Sequence, residues 1–152
     1  MKNKKYIILE IIPSAVDPKK GDIVQLSALK INEYKLESRF DYRLDEDKVN
    51  NIDLLNIINY DKDSFTYVDT TRKIMTRFKK WIEDYDLLII DNLYTRNYLD
   101  NIKNKKESIF DYLNMELTDD VIEKMMEKYN LKPSNHIVDL LYEALIEESN
   151  NR

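Results

Sequence analysis

The chain has 152 residues, 43% of them apolar and 35% charged, with 24 Lys and Arg against 29 Asp and Glu for a net charge of -5. That is enough sequence for one core, and residues 1–152 read as a single domain; a general nucleic-acid coat protein would be basic, so contact with nucleic acid would have to use a local patch. The absence of cysteine excludes disulfides and Cys-based zinc sites and accords with a reducing, cytoplasmic setting.

The amino terminus is basic and leads into the run YIILEII from Tyr6 to Ile12. Glu10 interrupts the run and no small-residue cleavage site follows, so the stretch reads as a strand and not as an export signal. No run approaches the length needed to span a bilayer. The first strand is β-branched and apolar on both faces except at Glu10, the pattern of a strand buried on both sides. A carboxylate there is costly unless it is paired, protonated, metal-bound or turned to an open edge.

Ala15 to Asp22 holds Pro18 and the only glycine, Gly21, and connects strands. Ile23 to Ile31 reads as a second strand, Asn32-Glu33 as a hairpin tip, and Tyr34 to Leu44 as a third strand alternating apolar with charged residues. From Asp45 to Asp69 the chain is polar and irregular, with one apolar patch at Ile52, Leu54, Leu55, Ile57 and Ile58. At Thr70 or Thr71 a helix begins, with Ile74, Met75, Phe78, Trp81, Ile82 and Tyr85 as its packed face and a solvated basic face opposite.

Leu87 to Ile90 reads as a short buried parallel strand, and Asn92 to Ile102 as the helix after it. Lys103 to Glu107 reads as a charged exposed turn, and Ile109 to Leu117 as a short apolar segment. Thr118-Asp119-Asp120 are capping residues for a helix with Val121, Ile122, Met125, Met126 and Tyr129 on one face. Pro133-Ser134-Asn135 stops it and caps the last helix, whose apolar face is Ile137, Val138, Leu141, Leu145 and Ile146. The order is three strands, helix, strand, helix, then helices: an α/β chain with a mixed central sheet.

Four strings in that order resemble the proofreading-type 3'-to-5' exonucleases, the DnaQ-like or DEDD group of the ribonuclease H-like fold. IILEIIPS stands where that family carries Asp-x-Glu-Thr on its first strand, and GDIVQLSALKI resembles its second strand. LLIIDNLYTRNYL resembles the strand and helix start that carry His-Asn and, four residues after the Asn, an Asp. NHIVDLLYEAL resembles the final helix, where His is followed five positions later by Asp. The resemblance covers nearly the whole chain and implies a mixed sheet with three leading antiparallel strands, flanked by helices.

The family's chemistry uses carboxylates to hold two hard divalent cations, Mg or Mn, about 4 Å apart, and such cations take oxygen ligands. Carried across, the first acid falls on Glu10 and the second on Ile12. The third falls on Arg96, the general base on His136, and the last acid on Leu141. Asp139 is two residues from Leu141, about 200° away around a helix, and so points elsewhere. The resemblance therefore implies a degenerate site, a pseudoenzyme with no cofactor, at positions Glu10, Ile12, Arg96, His136 and Leu141.

The residues left for binding are Glu10, Asn92, Arg96 and His136; Asn92 would also tie the strand end to the helix start. Arg96 would make the old cleft less hostile to an anion. The implied role is a binding or accessory module for single-stranded nucleic acid or a protein partner. One alternative is an active metal-dependent exonuclease with a site rebuilt on Glu10, Asp91 and Asp17; another is a purely protein-interaction domain.

Overall fold

A computed structural model of the chain describes residues 5–13, 21–44, 67–134 and 137–150. Strands β1 (Lys5–Pro13), β2 (Ile23–Asn32) and β3 (Lys35–Leu44) come first, followed by β4 (Tyr67–Asp69) and helix α1 (Thr71–Trp81). Then come β5 (Asp86–Ile89), α2 (Leu93–Tyr98), β6 (Lys106–Ser108), α3 (Ile109–Tyr112), α4 (Val121–Tyr129) and α5 (Ile137–Asn150). The described strands form one sheet in the order β4-β3-β2-β1-β5-β6. β1 to β3 pair antiparallel, whereas β5 joins β1, β6 joins β5 and β4 joins β3 in parallel.

The period of two along β1 divides the core. Tyr6 and Ile8 face a layer that includes Phe110, Met125, Leu141 and Leu145 of α3, α4 and α5. Ile7, Leu9 and Ile11 face Ile74 and Phe78 of α1 and Tyr98 and Leu99 at the end of α2. β1 is thus apolar on both faces because helices cover both. Glu10 shares its face with Tyr6 and Ile8, and so points to the side of α5.

The α1 face packs as the spacing predicts, with Ile74 and Phe78 buried and Phe40 of β3 against Phe78 and Trp81 at centroid distances of 5.4 and 5.3 Å. Beside it Lys30 is buried, with its Nζ 5.4 Å from the Trp81 ring centroid and 4.8 Å from that of Tyr85. That ammonium donates to the Trp81 carbonyl at 2.7 Å and to the Glu83 carboxylate. A buried charge is tolerable here because aromatic faces and two oxygen acceptors replace its water.

Several boundaries differ from the sequence pattern, each for a physical reason. The β2–β3 tip is Glu33-Tyr34 and not Asn32-Glu33: both have left-handed φ, 52° and 67°, while Asn32 pairs with Lys35. Two positive φ values in a two-residue hairpin match the twist of the strands, although non-glycine residues take them at a cost. Lys103 to Glu107 is not wholly a turn, because Lys106–Ser108 forms β6 along β5. Tyr67–Asp69, within the stretch read as irregular, forms β4 along β3.

Helix α2 stops at Tyr98, with Leu99 as its C-cap, and does not reach Ile102. Asp120 stands at the N-cap of α4, but its side chain caps no backbone N–H and instead accepts from the Thr118 hydroxyl at 2.6 Å. The apolar patch at Ile52 to Ile58, most of the Ala15–Asp22 connection, and Asn135 of the predicted cap lie outside the described residues.

Candidate functional site

β5 ends beside the middle of β1: the last paired positions are Leu9 and Ile89, and β1 runs on to Pro13. Glu10 and Asp91 both come just past that pair. Such strand ends are where open α/β sheets place their ligand crevices. Asn92 ties the β5 exit to α2, its Oδ1 accepting from the Thr95 backbone N–H at 2.9 Å, the tie foreseen from the sequence.

Glu10 is partly buried, and burial alone pushes its carboxyl from 4.5 to about 7. No hydrogen bond or opposite charge among the described residues relieves it. Ile12, two positions on, shares its face and brings only hydrocarbon. Leu141 is fully buried in the layer with Tyr6, Ile8 and Leu29, so the position at which the resemblance would set the last acid is core.

Arg96 does not stand free in the cleft. Its Nε and Nη2 donate to the two Asp91 carboxylate oxygens at 2.7 and 2.8 Å. That pairing holds Asp91 below its ordinary range and raises Arg96. Both side chains are more than a third exposed, at 43% for Arg96 and 35% for Asp91, so the pair contributes only about 1 kcal/mol or less. Its effect on the site is to commit both groups: Arg96 is less available to an anion, and Asp91 less available to a cation.

Asp139 points away from the Leu141 position, as the helical rotation requires. Its two oxygens accept from Nη1 and Nη2 of Arg39 on β3 at 2.7 and 2.9 Å. Arg39 also donates through Nε to the nearly buried Asp41 at 3.0 Å, and Asp41 accepts from the Ser27 hydroxyl at 2.6 Å. Cross-strand register sets Glu10 opposite Ser27 and Ser27 opposite Asp41, so three polar residues form one row on the α5 side of the sheet. Ser27, Arg39 and Asp41 belong to none of the strings that carry the resemblance's site positions. Their signal was the break in the apolar run of β2 at Gln25 and Ser27, which alternation puts on the same face as Glu10.

A cavity of about 440 Å³ opens beside the β5 and β6 ends, lined by Asp91, Arg96, Lys106, Glu107, Ser108, Asp111 and Tyr112. Its charges are largely committed: Lys106 donates to the Ile102 and Asn104 carbonyls, and Glu107 pairs with Lys105 at 2.8 Å. Among the described residues no group of three or more His, Asp and Glu side chains is placed to hold a metal ion. His136 and Asp17 lie outside the described residues. Among the described residues no helix is long and apolar enough to cross a membrane.

No family model matches the chain, and no curated protein sequence matches it. Solved structures do resemble it. A product-bound exonuclease I superposes with a TM-score of 0.61 over 95% of this chain and 42% of that one, at 11% identity. Exonuclease I in complex with the inhibitor BCBP gives 0.57 over 96% and 41%, at 10% identity. The chain thus spans about two-fifths of the length of these structures. The fold is ribonuclease H-like and of the exonuclease type, with the three leading antiparallel strands and flanking helices that the sequence strings implied.

Proposed function

We propose that this domain is a catalytically silent exonuclease-like module that serves as an accessory domain and engages a protein partner. The observation that carries the proposal is what occupies the family's acid positions. Glu10 is a lone desolvated carboxyl, Ile12 and Leu141 are aliphatic, and Arg96 is a cation held by Asp91. Two hard cations need several oxygen ligands converging on one place, and neither a guanidinium nor a buried leucine supplies one. The donor set does not fit the metals that the family's reaction requires.

The choice of a protein partner over nucleic acid rests on charge. The net charge is -5, and Arg96, the cation that could meet a phosphate in the old cleft, is already paired. A second reading, retention of a single-stranded end without cleavage, is favoured by the fold neighbour that was captured with product.

The test is degradation of a 3'-labelled single-stranded oligonucleotide with Mg²⁺ or Mn²⁺, with Glu10→Ala as the control for contaminating nuclease. The expected result is no cleavage by either protein and no retention of the oligonucleotide. Cleavage that vanishes in Glu10→Ala would overturn the proposal and restore the active alternative. Retention without cleavage would shift the partner to nucleic acid.

A further inference from the structure

A second cavity, of about 450 Å³, lies at the opposite end of the sheet from Glu10. The β2–β3 hairpin, the carboxyl end of α4 and the middle of α5 enclose it, and its lining includes Tyr34, Tyr129, Tyr142, Ile146, Glu143 and Glu147. Its size falls within the roughly 300–1,000 Å³ of cavities that take a small molecule or an inserted side chain.

The chemistry of the lining is one-sided. The Tyr142 hydroxyl donates to the Tyr34 carbonyl at 2.9 Å, and the Tyr129 hydroxyl donates to Glu148 at 2.8 Å. With those two donors committed, Tyr142 and Tyr129 contribute mainly ring surface. The Tyr34 ring is itself backed by Tyr6, with centroids 6.5 Å apart. Glu143 and Glu147 are one helical turn apart on α5, both exposed, and neither has an ion-pair or hydrogen-bond partner among the described residues.

Two carboxylates at i and i+4 repel each other. They stand on a helix that has no basic residue in its last turn, where the macrodipole is already negative. Aromatic rings beside carboxylates that no described residue compensates repel phosphate and attract a cation carried on a hydrocarbon or guanidinium stem.

The molecule already uses the same chemistry on itself. Trp81, Tyr85 and Glu83 hold the Lys30 ammonium in the core. Tyr129, which lines the second cavity, also takes a cation on its ring from outside that lining: Lys128 Nζ stands 5.1 Å from its centroid and donates to the Leu113 carbonyl.

We propose that this cavity binds an arginine or lysine side chain presented by a partner polypeptide. The proposal draws on the accessory-domain reading only in taking a polypeptide as the source of the cation. The test titrates the full chain at low ionic strength with the blocked peptide acetyl-Gly-Arg-Gly-amide. Acetyl-Gly-Gln-Gly-amide is the neutral control and tetramethylammonium the free-cation control, and the readout is the NMR signals of the Tyr34 and Tyr142 rings and the Ile146 methyls.

The expected result is saturable shifts of those signals with the arginine peptide and none with the glutamine peptide. In Glu143→Gln/Glu147→Gln binding should be about tenfold weaker, the combined loss of two exposed ion pairs. Tyr34→Leu, which keeps both carboxylates, should weaken it as well. Absent shifts, shifts given equally by the glutamine peptide, or shifts unchanged in the double variant would overturn the proposal. So would tighter binding of tetramethylammonium, which would assign the cavity to a free cation. Metal-dependent cleavage in the oligonucleotide assay would remove the accessory-domain reading while leaving this titration intact, so the two failures are distinguishable.

Discussion

Glu10→Gln should gain stability relative to the wild type as pH rises from 4.5 to about 7. In the folded chain burial raises the Glu10 carboxyl from its ordinary 4.5 to about 7. A raised folded-state value means that the folded state binds the proton more tightly than the unfolded chain. The stabilisation from that proton is fully present below pH 4.5, shrinks as pH climbs, and is gone once pH passes 7. At about 1.4 kcal/mol for each pH unit between the two values, the wild type loses about 3 kcal/mol across the window.

Glutamine is nearly isosteric and does not titrate, so the variant escapes the loss. Urea unfolding of both proteins from pH 4.5 to 8.5 measures it directly. The difference in unfolding free energy should climb by about 3 kcal/mol in favour of Glu10→Gln and level off above pH 7. A difference that stays flat across the series would refute the claim that Glu10 is desolvated and unpaired. A Mg²⁺-dependent gain in wild-type stability at pH 8 that Glu10→Gln lacks would assign the carboxyl to a metal.

Two further substitutions probe the polar groups that the fold encloses. Lys30→Met keeps the stem but removes the ammonium held by Trp81, Tyr85 and the Trp81 carbonyl, and should lower stability by about 1–2 kcal/mol in the same urea assay; a gain would show that desolvation outweighs the aromatic cage. Arg39→Met strips the nearly buried Asp41 of a charge-assisted partner and cuts the tie from β3 to Asp139 on α5, for a loss of about 1–3 kcal/mol. A loss no larger than a few tenths would place the network among ordinary surface pairs.

Local chemistry settled much of this molecule. The β-branched runs at Tyr6 to Ile12 and Ile23 to Ile31, the alternation in β3, the helical stripe of Ile74 and Phe78, and the Asn92 cap all depend on neighbours a few residues away, and the chain adopts them as its residue pattern dictates. The aliphatic residues at 12 and 141 and the cation at 96 are likewise plain in the sequence, since a side chain's chemistry does not depend on where it lies.

What each of those groups touches was decided by tertiary structure alone. β6 forms in a lysine-rich segment with no strand signal because β5 offers it an open edge. Arg39 meets Asp139 across a hundred residues of chain, and Asp41 joins them only because β2 and β3 pair in one register. Arg96 reads as a free cation until the turn out of β5 puts Asp91 within reach of its guanidinium. Glu10 becomes an acid that titrates near neutrality only when helices close over both faces of β1, because desolvation belongs to the assembled core and not to any stretch of sequence.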